Sequence, residues 1–448
     1  MTLARLLTQG IPHAGEAWLV LPLLVSWAAA LLLAATVARQ AGGWAGLVAL
    51  IALVAVAPVV LNTYVDDNFH VTTWLSLALL GAAAYWWARG RARGPAVVAG
   101  LAAVIGVNLA SDALLLVFGL LPLLGTVALR RSPARARLLV VAAGATVLAA
   151  AVVAGETWWG FSFWRIGQGS AVDLAVLPRA VRAGDNVASF LAGAGPAWLG
   201  SWAPAGRGAL SVIAVVGVTW YFGRTLVVAG RADMAAADGN EPGIAWLTFW
   251  SLCGLSTLAL FTLTGLGGPG AGRYLVPILL ALAATVPLRL GRRPGLAPAL
   301  LLAVAAVAAG NAAALPAMAR DLAPAHQRAA RIVALLTANG LTHGYAGYDE
   351  ALPVVWLSGG RIESRQVQQG RSCQDARPGS LCRGDRNFSS AWYRPLPGPS
   401  FVIADTDPCV CLRGQPGAWF GTPTAVYRSG TLTVYVYDHD VAAEIADR

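Results

Sequence analysis

Lysine is absent from this 448-residue chain, so all 32 fixed cations are arginine. Charge of either sign is scarce: Asp, Glu, Lys and Arg make up 12% of the residues, against 57% hydrophobic, with a mean hydropathy of +0.62. Such values exclude an ordinary soluble domain and point to a polytopic membrane protein. Exclusive use of arginine, with abundant alanine and glycine, reflects a GC-rich bacterial coding sequence rather than a function. No Walker-type phosphate loop occurs, which argues against ATP hydrolysis within the chain. No recognisable serine or cysteine nucleophile motif occurs either. A cleavable signal peptide is also missing: Met1 to Glu16 is mildly amphipathic with Arg5, and the apolar run after it is long enough to span.

What the sequence does contain is a series of long apolar runs. Spans are expected near 17–38, 45–62, 71–88, 95–110, 113–129, 138–155, 209–223, 244–263, 275–289 and 296–318. The count is therefore about ten, with 95–110 and 113–129 also compatible with a re-entrant hairpin. The net charge of +10 does not indicate a nucleic-acid partner, because the arginines lie in short clusters between apolar runs. Arg89, Arg91 and Arg93 form one cluster, and Arg130, Arg131, Arg135 and Arg137 another. Arg224 with Arg231 and Arg289 with Arg292 and Arg293 complete the set. Alternate loops carry Asp66-Asp67 and Ser111-Asp112 and no arginine. The positive-inside rule puts the arginines in the cytoplasm and these carboxylates outside. The same parity puts loop 156–208 and the tail from about 319 outside.

The expected fold is an α-helical polytopic membrane bundle over 1–318, with a small extracytoplasmic α/β domain over 319–448. Loop 156–208 holds Trp158, Trp159, Trp164, Trp198 and Trp202, which suits either interfacial anchoring or a platform for a lipid-linked substrate. In the tail, a helix from Pro324 to Asn339 should stop at Gly340. Segments Gly344–Tyr348, Leu352–Leu357, Arg361–Val367, Ser389–Tyr393 and Phe401–Ala404 then alternate between strand-like and helix-like. Thr424–Arg428 and Thr431–Tyr437 close the chain around a turn at Ser429-Gly430. This alternation predicts partly parallel pairing. Cys373, Cys382, Cys409 and Cys411 form an even set in an extracytoplasmic domain, which favours disulfides of open connectivity. A zinc site is the alternative, although the lone Cys-x-Cys pair lacks the usual spacing. Cys253, inside a span, is a packing residue.

Three constellations carry candidate chemistry. Asp66 and Asp67, with His70 three residues on, stand between apolar runs with no cation close in sequence. Ionisable groups there are expensive to keep and read as functional by default. The pair suits a divalent cation or a general base for an acceptor hydroxyl; the alternative is an N-cap for the next helix. Asn108-Leu109-Ala110-Ser111-Asp112 is the second polar insertion, with Asp112 or Ser111 either capping the following helix or completing a site with Asp66-Asp67. The third is Gly270-Ala271-Gly272-Arg273-Tyr274, a glycine-rich loop that delivers an arginine suited to phosphate at a span's start. Arg273 with Tyr274 equally suits a headgroup anchor. Arg165 is a weaker phosphate candidate.

Arg273-Tyr274-Leu275-Val276-Pro277 resembles the Arg-Tyr-Leu-Leu-Pro pattern of GT-C superfamily membrane glycosyltransferases. His70 early in one span, an Ala-Ser-Asp insertion two spans later and a cysteine-bearing outer tail are similar to a bacterial group near glycosyltransferase family 39. Leu357-Ser358-Gly359-Gly360-Arg361 and Ser389-Ser390-Ala391-Trp392-Tyr393 also resemble that group. The resemblance implies inverting transfer of a sugar from a polyprenyl-phosphate donor to a glycan or protein acceptor outside the bacterial plasma membrane. It implies that Asp66 or Asp67 is base or metal ligand, with Mg2+ or Mn2+ as the ion, and that Arg273 holds the donor phosphate. The family's acidic loop follows its first span, whereas Asp66-Asp67 follows the second span counted here. The chain is then expected either to use Asp66-Asp67 or to lack the family's opening span and its catalytic loop. A non-catalytic scaffold whose outer domain binds glycan or a partner protein is the expectation from another class.

Overall fold

The computed structural model describes residues 14–54, 70–90, 94–130, 135–158, 161–162, 178, 180–181, 183–184, 204–235, 241–264, 274–290, 294–369, 381–383, 388–389, 393–405 and 420–445. The chain is mostly helical and divides into two compact units. One unit comprises Val20–Val153 and Ile166–Met318. The other comprises Met1–Leu19, Ala154–Arg165 and Ala319–Arg448.

The helical unit contains α1 (Ala14–Ala41), α2 (Gly43–Val54), α3 (His70–Ala88), α4 (Pro95–Ser111) and α5 (Leu121–Leu129). Next come α6 (Arg135–Trp158), α7 (Pro204–Ala235), α8 (Glu241–Leu263), α9 (Val276–Leu290) and α10 (Ala297–Ala338). Among the described residues, five stretches are long and apolar enough to cross a membrane: Pro22–Ala41, Val71–Ala88, Arg135–Trp158, Ser211–Arg231 and Pro242–Leu263. Five more apolar helices are shorter, Gly43–Val54, Pro95–Ser111, Leu116–Leu129, Val276–Leu290 and Ala297–Ala313.

Local chemistry explains the breaks. Pro95 sits at the first position of α4, where its missing N–H costs nothing, and Asp112 ends the helix in extended geometry (φ −136°, ψ 95°). A π-turn over Leu116–Leu120 leads into α5, next to Pro122. Pro122 has no N–H to offer the carbonyl of Phe118, four residues back, so the regular ladder cannot continue there.

Helix α8 is the axis of this unit, packed against α3, α5, α7 and α9. Trp246, Phe249 and Trp250 on it are fully buried and meet edge to face, at 5.6 Å for Trp246–Trp250 and 5.2 Å for Phe249–Trp250. The Trp246 indole N–H donates to the Ala284 carbonyl at 2.9 Å, so the ring is fixed to α9 as well. Two close approaches make room for aromatic rings: a Cβ at Gly81 would lie 2.8 Å from Trp250 Nε1, and one at Gly254 2.3 Å from the Phe222 ring.

The second unit holds β2 (His343–Ala346), α11 (Tyr348–Leu357), β3 (Glu363–Gln369), β4 (Leu381–Arg383), β6 (Ser400–Asp405), β7 (Ala425–Ser429) and β8 (Leu432–Tyr437). These strands form one mixed sheet in the order β4-β3-β2-β6-β8-β7. The centre is parallel, with β2 between β3 and β6, and both flanks are antiparallel. Helix α11 makes the crossover that parallel β2 and β3 require. A two-stranded ribbon, β1 (Phe161–Ser162) with β5 (Phe388–Ser389), ties the segment after α6 to the tail.

Each face of the main sheet is covered. Ile332 and Leu336 at the end of α10 pack with Ala351 and Val354 of α11 over Phe401, Ile403 and Val434. Tyr345, Val402 and Tyr437 on the other face lie under Tyr393, Phe420 and Val441. Helix α10 runs through the expected break between a span and a tail helix and stops where predicted. Gly340 (φ 66°) lets the Leu341 N–H reach the Leu336 carbonyl at 3.0 Å, which satisfies an orphan acceptor of the last turn. Gly430 (φ 64°) makes the two-residue turn between β7 and β8.

Gly344 is the tightest point of the sheet, since a Cβ there would sit 2.3 Å from the Phe401 carbonyl oxygen. Gly344→Ala must push β6 away and is expected to destabilise the tail by about 1–3 kcal/mol. Limited proteolysis of the detergent-purified chain checks this: the variant's tail is cleaved faster than wild type, and equal rates would contradict the packing.

Candidate functional site

Helices α3 and α4 run antiparallel and meet through a polar seam far from their arginine-bearing ends. Thr72, Thr73 and Ser76 occupy the first two turns of α3, and Asn108 and Asp112 the end of α4. The Thr72 hydroxyl donates to Asn108 Oδ1 at 2.6 Å, and Asn108 Nδ2 donates to Ser76 Oγ at 2.9 Å. The same amide nitrogen lies 3.5 Å from Thr73 Oγ1. Thr73 donates to Asp112 Oδ2 at 2.5 Å, and the Leu114 N–H donates to Asp112 Oδ1 at 3.1 Å. Thr73, Ser76, Asn108 and Asp112 are all buried.

Asp112 therefore has two roles. Its carboxylate caps the helical segment that starts after it, and it accepts the hydroxyl of a neighbouring helix. Each carboxylate oxygen accepts one hydrogen bond, and Asp66 and Asp67, with which Asp112 was expected to complete a site, lie outside the described residues. Among the described residues, no three His, Cys, Asp or Glu side chains converge to hold a metal.

The other predicted residues divide simply. His70 is the first residue of α3, one turn before Thr73. Tyr274 lies in the short turn ahead of α9, half-buried against the helical core. Asp66, Asp67, Arg165, Arg273, Cys373, Cys409 and Cys411 fall outside the described residues, while Cys382 lies in β4. The structure thus brings Asp112 together with Asn108, whose backbone carbonyl accepts the Asp112 N–H at 2.7 Å, and with the Thr73 hydroxyl of α3. Thr72, Thr73 and Ser76 were missed, because small hydroxyls are ordinary in an apolar helix and gain meaning only when a second helix lies against them.

The motifs that carried the family resemblance in the tail have structural roles. Gly359 and Gly360 both take positive φ (63° and 77°) in the turn from α11 to β3, where Ser358 Oγ accepts the Ile362 N–H at 3.1 Å. Tyr393 donates its hydroxyl to the Gln366 carbonyl and stacks on Tyr345 with ring centroids 6.4 Å apart.

The tail also has a buried polar network that the sequence did not reveal. Asp440 accepts the Tyr345 hydroxyl at 2.7 Å, the Leu396 N–H at 2.7 Å and the Ala442 N–H at 3.0 Å. His343 Nε2 lies 3.9 Å from its carboxylate. The network pins the C-terminal turn to the sheet. Burial, and then the adjacent Asp440 carboxylate, push the Tyr345 hydroxyl far above its ordinary range. Burial likewise pushes Tyr437 up to about 12, with Tyr435 and Glu444 adding to it.

On the surface beside it, His439 Nδ1 is 2.7 Å from Asp438 and Nε2 is 2.9 Å from Glu444. The two carboxylates, Asp438 foremost, raise the histidine above its ordinary value of 6.5. No family model, curated protein or solved structure matches the chain. The class that the fold defines is accordingly a coarse one: a mostly helical protein with, among the described residues, five helices long and apolar enough to cross a membrane, and a small mixed-sheet unit.

Two outcomes follow. Asp112→Ala leaves the Thr73 hydroxyl and the Leu114 N–H without an acceptor and should lower stability by about 1–3 kcal/mol, while Asp112→Asn retains one carbonyl acceptor and loses less. Thermal unfolding of the three forms in detergent measures the order, and an alanine variant as stable as wild type would contradict the capping role. A folded pKa above the unfolded one means that His439 stabilises fully below about pH 6.5 and that the contribution fades as pH rises through the folded value. Because the site is exposed, raising pH from 6 to 8.5 should lower the wild-type midpoint by no more than about 1 °C. His439→Ala should remove that pH-dependent increment, and an unchanged slope would contradict the assignment.

Proposed function

We propose that the protein is a GT-C-like glycosyltransferase of the bacterial plasma membrane. It moves a sugar from a polyprenyl-phosphate donor to a glycan or protein acceptor on the extracytoplasmic face. About ten helices cross the bilayer, the five long ones and the five shorter apolar ones, and the tail lies outside. Among the described helices, α1, α3 and α9 carry arginine at or just past their C-terminal ends, at Arg39, Arg89 and Arg289, and α5 is followed by Arg130. Alternation of helix direction puts these residues on one side, which supports a cytoplasmic assignment for them.

The observation that carries the functional reading is the seam itself. Helix α3 begins at His70, three residues after Asp67, and its first turns are locked to α4 by buried hydroxyl and amide contacts. A rigid scaffold directly after an acidic segment is what a positioned base requires. In this reading Asp66 or Asp67 takes the proton from the acceptor hydroxyl, and Arg273 and Tyr274 face the donor phosphate.

A second reading has its own support. Asp112 is engaged as a cap and hydroxyl acceptor, as expected of a non-catalytic membrane scaffold whose outer domain binds glycan or a partner protein. Transfer of labelled sugar from membrane polyprenyl-phosphate donors separates the two. Wild type should turn over, and Asp66→Asn/Asp67→Asn at matched expression should lose at least 100-fold, the lower range for a positioned acid or base (~10²–10⁴). Turnover that survives the double substitution moves the chemistry elsewhere, and none from the folded wild type favours the scaffold.

A further inference from the structure

A groove of about 690 Å³ runs between α4 and α6, away from the polar seam's hydroxyl partners on α3. Its origin is a shortage of side chain. The two helices are closest at Gly106, where an added Cβ would meet the Ala145 carbonyl oxygen at 2.9 Å and Leu148 Cβ at 3.0 Å. From that contact toward both N-termini the facing residues are small, with Ala99, Ala102 and Ala103 on α4 opposite Ala136 and Gly144 on α6. Large apolar side chains on the same two helices, Val97, Val104, Val140 and Val147, are exposed.

Charge enters at one end. Arg137, in the first turn of α6, is the charged member of the lining. Both helices start here, so their positive dipole ends add to the arginine. The groove's length is set by the helices: Pro95 to Ala103 covers about 12 Å and Ala136 to Leu148 about 18 Å at ~1.5 Å per residue. Half of a hydrocarbon core is about 15 Å. A trough of one-leaflet length, apolar along its run and cationic at its mouth, is complementary to one kind of molecule.

We propose that this groove holds an acyl chain of an anionic membrane phospholipid, with the headgroup phosphate held by Arg137. The lipid belongs to the leaflet on the arginine-bearing side. The proposal rests on the helices lying in a bilayer and is independent of sugar transfer. Arginine matches phosphate through two parallel N–H donors, whereas a zwitterionic headgroup returns a positive charge to the same place.

Native mass spectrometry of the full chain in mild detergent tests it, with phosphatidylglycerol and phosphatidylcholine of matched chains added in equal amounts. Wild type should retain phosphatidylglycerol about fivefold over phosphatidylcholine, the size expected for one basic residue at an anionic surface. Arg137→Gln should abolish the preference while the lipid adduct persists, and Arg137→Lys should keep most of it. Ala99 is exposed, so Ala99→Phe fills the groove without entering the core and should remove the adduct for both lipids. Equal retention of the two lipids by wild type would overturn the proposal, as would an unchanged preference in Arg137→Gln or an adduct that survives Ala99→Phe. Release of the chain from membranes by alkaline carbonate would overturn the bilayer reading and the groove's occupant together.

Discussion

An apolar interior offers no hydrogen bonds, and that constraint orders the helical unit. Every polar group placed among apolar helices needs a partner from the protein, or it costs several kcal/mol. The seam between α3 and α4 meets this requirement with Thr72, Thr73 and Ser76 against Asn108 and Asp112. The same rule recurs elsewhere in the helices. Buried Arg130 donates to Thr248 at 2.8 Å, Arg289 donates to Thr225 at 2.7 Å, and Tyr221 to Thr285 at 3.1 Å. Aromatic faces take up further arginines, with Arg39 5.1 Å from the Trp86 ring and Arg224 5.0 Å from Trp220. Buried hydroxyls also stand among the aromatic rings, with Thr248 and Ser251 next to Phe249 and Trp250 on α8.

Much of the architecture was legible because it follows from periodicity and punctuation. Each apolar run overlaps a helix, although the run at 45–62 continues past the described residues and the helices at Pro204–Ala235 and Ala297–Ala338 are much longer than the runs that marked them. The tail's strands at Phe401–Ala404 and Thr431–Tyr437 correspond to β6 and β8 within a residue or two. Gly340 and Gly430 marked a helix stop and a hairpin because only a positive φ serves there. The unbroken α10 was not legible: the change of composition after Met318 and a helix start at Pro324 read as a boundary, yet the helix continues over both. Short β4 and the β1–β5 ribbon escaped too, since two- and three-residue pairings leave no pattern in composition.

The site was legible only in part. Asn108 and Asp112 stood out as polar residues in an apolar context, and capping was among the roles expected of Asp112. Their partners were harder to see, because threonine and serine are ordinary in apolar helices and gain meaning only once two helices are apposed. Asp440 illustrates the limit more strongly. Its partners Tyr345, Leu396 and Ala442 are spread over nearly a hundred positions, and no local signal connects them. The groove between α4 and α6 is invisible for the opposite reason, since alanine and glycine are so frequent here that their clustering on facing helices goes unnoticed.

The central claim is that the arginine-bearing helix ends face the cytoplasm and the tail faces out. Paired reporter fusions after Arg448 and after Arg131 test it most directly, with alkaline phosphatase active only outside and green fluorescent protein fluorescent only inside. The account predicts an active phosphatase and a dark fluorophore at the C-terminus, with the reverse after Arg131. Fluorescence at the C-terminus together with phosphatase activity after Arg131 would contradict it.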